Sequence, residues 1–596
     1  MARTTQIKRA RRASSSDSPR SPPFHRALRL VRPGFGIPLN WRPGKYYGVG
    51  SAPFFPNAVS LWAATERTVR ETSMLSMMNV LTDKDEWRRK VFDETIVDHW
   101  REEAVTSEGQ GFTADMFAFC IAELRDKAKR HEESGMTVVL DGEAGVVKSD
   151  SIVSTQLKDA LRAAVKQLED VPAEDRDWHP GSNNQVLDLV HPSLYPLVYG
   201  RSKVAPRAEI GLEESLSFSG ETETIPNPGE AESREEIQSS VAGGWPTLWS
   251  RKYQWLPAEL RFAGDSDVKI TSYINNLHPV QHKELYSVLE QLIAKAIPAL
   301  SLTLSLVTNR MYGEDDLRIP CPTGAEYEDI GPEGDHANNS DEDDEDDDDD
   351  PEAFQRRRES RRKLIPPQPR AYRPMPPPAF DLRTAFATDG LQVIVKLANI
   401  HLTPANPRYA GGSWHVEGCL NERICATALY YYDCHNVADS RLAFRQRIKT
   451  DNLYYEKCYD QDDYAGIEYL YGIESEGPAV QDIGAVQTRE GRLLCFPNVF
   501  QHQVQPFELV DKERPGHRKI VAVFLVDPYQ RIVSTANVPP QQREWRDGGG
   551  DEGAVEGLMS LEEAKDIRLG LMDERRVYQA GVQKSFDETT FNFCEH

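Results

Sequence analysis

Two histidines, a glutamate and an arginine are the residues of this chain most able to do chemistry together. His415 and Glu417 stand two apart in GGSWHVEG, directly after a Gly-Gly turn. In an extended chain, side chains at i and i+2 point the same way, so the imidazole and the carboxylate can hold one metal ion from one side. The third ligand expected is His502, in GRLLCFPNVFQHQVQPF, and Arg518 follows at the head of the strand-like RKIVAVFLVD. Two histidines and a carboxylate on one face are the donor set of a non-haem Fe(II) oxygenase, with positions left open for O₂ and a co-substrate. An arginine fork matches a planar carboxylate such as the distal one of 2-oxoglutarate. The expected site is therefore His415, Glu417 and His502 on Fe(II), with Arg518 on 2-oxoglutarate.

The triplet alone carries little weight. With 14 His and 94 acidic residues in 596, chance supplies about two His-x-acid triplets. His131-x-Glu133 and His282-x-Glu284 are two others, both in helical stretches where i and i+2 diverge around the axis. What singles out His415 is order: a strand, a Gly-rich turn, a strand, a second histidine, then an arginine. The competing reading is a non-catalytic jelly-roll scaffold. There the same residues are hydrogen-bonded structural groups, and an acidic insertion and a basic arm carry the function.

Strands must position such a site, and the C-terminal half offers them: Leu391 to His401, Ile424 to Tyr432, Arg492 to Phe496, Gln503 to Phe507 and Lys519 to Val526. Short strands with turn signals between them predict an antiparallel double-stranded β-helix, a jelly roll. Trp414 then packs away from the metal. Asn399 reads either as a co-substrate contact or as a buried structural amide, and Tyr430 and Tyr432 as pocket wall or core filler. Upstream, Thr82 reads as a helix N-cap and Thr113 opens a second helix. A third carries Leu157, Leu161, Val165 and Leu168 on one stripe. His282 to Ala296 reads as a helix, and SLTLSLV (Ser301 to Val307) alternates as a half-buried strand does. The fold class expected is α+β: a helical N-terminal layer on a jelly-roll core.

His179 and His191, 12 residues apart in a Pro-punctuated loop, suit no common metal spacing and read as structural. Residues 36–200 form the helical region, 201–243 a polar acidic linker, and 244–545 the oxygenase-like domain. Within that domain 312–378 is a disordered insertion of charge blocks and prolines. The tail, 546–596, opens with a Gly-rich hinge and continues as a charged helix, Ser560 to Arg576, a cover or an interaction segment.

Several of these stretches resemble a known family. SYINNLHP (Ser272 to Pro279), VIVKLANIHLTP (Val393 to Pro404), GGSWHVEG through YYYD, DWHPGSNNQVLDLVHPSLYPLVYG (Asp177 to Gly200) and KSDSIVS (Lys148 to Ser154) are similar to the fungal proteins grouped as domain of unknown function 4246. That resemblance spans about 34–545 and implies no activity. A second, over about Val393 to Val526, is to the 2-oxoglutarate and iron dioxygenases, matching at His415, Glu417, His502 and Arg518. Two departures stand out: Glu where many members have Asp, and 85 residues between Glu417 and His502, implying an inserted loop.

Composition sets the remaining bounds. A formal charge of −24, ten units of it in Asp341 to Asp350, gives no strong nucleic-acid signal. The acidic run suits docking of a basic protein partner. Eight scattered cysteines without a Cys-x-x-Cys pair indicate neither a zinc ribbon nor a disulfide framework. No apolar stretch approaches the ~20 residues of a membrane span. Residues 1–35, with nine Lys+Arg and one acid, read as a disordered basic arm, with a nuclear-import patch at Lys8 to Arg12 or a mitochondrial transit composition. A cytoplasmic or nuclear location is expected. Substrate class stays open between a small metabolite and a protein side chain.

Overall fold

The computed structural model describes residues 55–58, 62–107, 111–206, 208–225, 227, 250–308, 317–329, 362–374, 380–449, 457, 464–545 and 557–590. The main helices are α1 (Val69–Leu81), α2 (Glu94–Ser107), α3 (Ala114–Ser134), α4 (Thr155–Glu169), α5 (Lys283–Thr308) and α6 (Leu561–Glu588). The site-bearing strands and their neighbours are β1 (Thr137–Val139), β2 (Val146–Ser149), β3 (Val186–Val190), β4 (Ala258–Ala263), β5 (Asp267–Ile270), β6 (Leu391–Leu402), β7 (Ile424–His435), β8 (Ser440–Arg447), β9 (Val480–Thr488), β10 (Leu493–Pro497), β11 (Gln501–Val504) and β12 (Gly516–Val526). The protein is a mixed α+β fold with antiparallel sheets.

The large sheet runs β1-β2-β10-β7-β12-β6-β4-β5, with β3 also paired to β6. The small sheet runs β9-β8-β11. Alternation along the central strands separates two cores. Tyr431, Ala522, Phe524 and Phe496 of the large sheet meet Leu442, Phe444, Ile483 and Val486 of the small one. On the other face Tyr430, Tyr432, Val521, Val523 and Leu525 meet α4 and α5. A strand buried on both faces needs apolar residues at nearly every position, which is how β12 reads.

Three helix starts follow from their caps. Thr113, Ser154 and Ser560 each accept a bond from the backbone N–H three residues on, at 3.3, 3.1 and 3.2 Å. Thr82 differs from expectation, because it ends α1: its N–H donates to Met78 O and its hydroxyl to Asn79 O. The cap downstream is Asp93, whose carboxylate takes the N–H groups of Thr95 and Ile96. Ser301 to Val307 is also not a strand but the last two turns of α5. A helix buried nearly all round loses its amphipathic period, and Thr303 hides its hydroxyl on Ala299 O at 2.8 Å. Among the described residues α5 is the one helix long and apolar enough, by length and composition, to cross a membrane; here it is a core helix against α4, β5 and β10.

The insertion and the linker are partly folded, contrary to the sequence reading. Glu326–Asp329 pairs with Arg362–Ile365, and Lys203–Val204 with Glu223–Thr224. Val204, Ile210 and Ile225 are buried. Arg318 is driven inward: it donates to both oxygens of Glu123 at 2.6 and 2.7 Å and to Glu71 at 3.0 Å, with Asp141 at 3.2 Å. The acidic run, the basic arm and the Gly-rich hinge lie outside the described residues. Removing one member of a buried charge cluster strands the others. Arg318→Ala is expected to cost about 3–5 kcal/mol, read as a lowered denaturation midpoint in urea.

Acid sensitivity has a nameable source. Arg492, fully buried, donates to Asp83 at 2.7 Å and to both oxygens of Asp150 at 2.7 Å. Burial opposes charge on Asp150, but the hydrogen bonds from Arg492 and Arg489 outweigh it and hold the carboxyl well below its ordinary 3.8. A depressed carboxylate contributes stability that is complete above its unfolded value and lost as pH falls through the folded one. Wild type should therefore lose stability below about pH 4, and Asp150→Asn should flatten that acid limb in pH-dependent thermal melts.

Candidate metal centre

His415 and His502 face each other as directly opposed residues of an antiparallel bridge. The N–H of His415 donates to His502 O at 3.1 Å, and that of His502 to His415 O at 3.0 Å. β11, which carries His502, is held in place by β8, with Phe444 opposite His502. Glu417 follows two residues after His415, and its Oε1 lies 3.2 Å from His502 Nε2 and 3.7 Å from His415 Nε2. One ligand atom from each of the three lies within 4.8 Å of the other two. The imidazole centroids are 4.2 Å apart.

The surroundings orient this set. His415 donates from Nδ1 to Ser413 O at 2.8 Å, which turns its Nε2 toward Glu417. Asn498 clamps the loop, accepting from Glu417 N at 2.9 Å and donating to Glu417 O and Ile424 O. Burial opposes the Glu417 charge, yet bonds from His415 and His502 keep it ionised, well below the usual carboxylate range. Burial and the neighbouring His415 lower His502, so it is neutral; Glu417 overcomes burial at His415 and raises it. His502 Nδ1 is buried without a hydrogen-bond partner.

Arg518 lies on the inward face of β12, opposite Ile400 and Cys434, and is 2% exposed. Its Nη1 donates to Ser440 Oγ at 2.6 Å and Thr488 Oγ1 at 3.3 Å. Phe507 and Tyr431 flank the guanidinium at 4.5 and 5.6 Å. Among the described residues no carboxylate lies within 4.0 Å of it, and its Nε has no hydrogen-bond partner. Ser440 and Thr488 were not foreseen: they are register partners on β8 and β9, 48 residues apart, with no spacing signal.

The undecided residues now have places. Asn399 donates to Glu169 at 2.7 Å and accepts from Tyr432, under α4 and away from the metal cluster. Tyr430 and Tyr432 fill the helix-covered core. Trp414 packs under the Arg445 guanidinium, 4.7 Å from its ring centroid. The tail helix runs on to Glu588 and covers the ligand loop. Tyr578, Val582 and Phe586 pack on Val416 and Cys419, and Gln579 donates to Val416 O at 2.9 Å.

A second cluster, not anticipated as one, comprises His179, Asp188 and His191, whose ligand atoms likewise lie within 4.8 Å of one another. Burial holds His191 neutral, well below its ordinary value, whereas Asp188, opposed by burial but facing both histidines, stays ionised.

An α+β protein with antiparallel sheets, a His-Glu-His cluster and an inward arginine is the class defined so far. The chain belongs to the family described as a protein of unknown function, DUF4246, whose model matches residues 114–549; the DUF4246 N-terminal domain matches residues 32–103. No curated protein matches it. Among solved structures it is similar to IDO from Bacillus thuringiensis at 12% identity, covering 24% of this chain and 51% of that one, with TM-score 0.14. It is similar to the Fe(II)/α-ketoglutarate-dependent dioxygenase TqaL at 15% identity, covering 26% and 46%, with TM-score 0.14. A bsmA homolog from Methylobium petroleophilum matches at 9% identity over 67% and 90%, with TM-score 0.22. The chain thus spans about half the length of the first two. These TM-scores are low and carry no argument about fold or activity.

The ligand loop itself is testable without metal. Gly418 has φ +70°, and a Cβ there would lie 2.8 Å from Ile424 Cδ1 and 2.9 Å from Glu422 Oε2. Gly418→Ala should lower stability by about 1 kcal/mol or more, read as a lowered Tm.

Proposed function

We propose that this protein is an Fe(II)- and 2-oxoglutarate-dependent oxygenase on a jelly-roll core. His415, Glu417 and His502 bind the metal and Arg518 binds the co-substrate. The observation that carries the reading is Arg518: a guanidinium 2% exposed, with free donor capacity and no carboxylate within 4.0 Å among the described residues. A buried charge held by neutral hydroxyls alone is costly, so such a group can take an anion. The facing antiparallel sheets with a shared core support the jelly-roll reading.

The donor set fits the metal. Two imidazoles and a carboxylate suit ferrous iron with open positions, and the buried Nδ1 of His502 is poised for a second-sphere contact. When bound, the metal and its co-substrate supply O₂ activation coupled to decarboxylation, and so oxidation of a substrate C–H bond. The chain's own residues do the rest. Ser413 fixes the His415 tautomer, leaving Nε2 as the ligating nitrogen. His502 is held neutral, the form that ligates, and Glu417 is ionised in advance. Ser440 and Thr488 fix the Arg518 guanidinium, while Phe507 and Tyr431 keep water from it. The substrate is a small metabolite or a protein side chain.

An anaerobic titration of purified protein with Fe(II), then 2-oxoglutarate, tests this. Wild type should develop a visible charge-transfer band that His415→Ala lacks. Arg518→Ala should keep iron but bind 2-oxoglutarate about 30-fold or more weakly, as loss of one partner of a buried charge pair implies. Iron held as tightly by the alanine variants of His415 and His502 as by wild type would defeat the assignment.

A further inference from the structure

We propose that His179, Asp188 and His191 form a second divalent-metal site, for a first-row transition ion such as zinc, that fastens the hairpin between Asp177 and Val190. The hairpin explains how the site is made. Gln185 N–H bonds back to Ser182 O across a tight turn in which Asn183 and Asn184 both have positive φ, 54° and 56°. Two left-handed residues in succession reverse the chain with the twist a hairpin needs. His179 N–H then bonds to Val186 O at 2.8 Å, and Asp188 N–H to Asp177 O at 2.9 Å. The ring of His179 is thereby brought over Asp188, with His191 just past the end of β3. A linear separation of 12 residues becomes a ring–ring distance of 5.2 Å.

Three features point to a bound ion rather than to packing. The three ligand atoms lie within 4.8 Å of one another, and two imidazoles with one carboxylate are a donor set for zinc and its neighbours. The Asp188 side chain is 1% exposed, and its Oδ1 accepts no hydrogen bond while Oδ2 takes His179 Nδ1 at 2.8 Å. A buried carboxylate oxygen left without a donor is expensive, and a cation satisfies it. The hydrogen bond that competes with ligation is long: Ser193 N–H to His191 Nδ1 at 3.2 Å. Two cations face the cluster. Arg568 stands 4.0 Å from Asp188 but holds Asp177 through both terminal nitrogens at 2.5 and 2.8 Å, and Lys396 acts on Asp188 through its field.

Metal counting decides it. Chelator-stripped full-length protein, dialysed against Zn(II) or Co(II), should bind two equivalents. His179→Gln, a change at a half-exposed ring, should lose one of them and leave the other to be removed by His415→Ala. Asp188→Asn, nearly isosteric, should give the same loss and so separates ligation from misfolding. In the His415→Ala background Zn(II) should still raise the Tm, and His179→Gln should abolish that rise. If His179→Gln and Asp188→Asn retain the full wild-type complement, the second site does not exist. If instead they lose their metal while His415→Ala loses none, this site stands and the oxygenase reading fails.

Discussion

The reciprocal backbone pairing of His415 and His502 is the constraint on which the rest of the centre depends. It joins a loop between the sheets to a strand of the small sheet through two hydrogen bonds of 3.0 and 3.1 Å. Everything else acts on that pair. Asn498 fixes how far Glu417 can swing, and Phe444 and Phe496 wall the His502 ring at 6.4 and 4.7 Å. Both histidines are placed by backbone bonds, the kind of support that preorganises a ligand set.

Among the buried arginines of the described residues, charge is neutralised in more than one way. Arg318 meets Glu71, Glu123 and Asp141, and Arg492 meets Asp83 and Asp150. Each is a structural rivet joining segments hundreds of residues apart. Arg518 has two hydroxyls and two aromatic faces instead. Arg67, 3% exposed, is the other case among the described residues: no carboxylate lies within 4.0 Å of it, and both its terminal nitrogens lack a hydrogen-bond partner.

Much of this was legible in the residues, for physical reasons. Helix starts at Thr113 and Ser154 have side-chain caps, and the strands around His415 and His502 are bounded by turns, so local chemistry agrees with the global fold. The meeting of His415, Glu417 and His502 could be anticipated because two of them share a local geometry. Ser440 and Thr488 could not, since only strand register brings them to Arg518. Ser301 to Val307 misled because a helix sunk in a core has no polar face to mark its period. His179 and His191 meet without any signal in their spacing, because a hairpin, rather than a helix or a knuckle, closes the gap between them.

The tail helix adds a constraint of timing. Val416 and Cys419 are sealed by Tyr578, Val582 and Phe586, some 160 residues further along the chain. During synthesis the ligand loop must therefore wait, uncovered, until α6 has left the ribosome, and the interval is long on the scale of local folding. Afterwards Val416 and Cys419 are closed by apolar contact while the His415 side chain keeps 31% of its exposure, so the shape of the ligand loop is coupled to the last helix described in the fold.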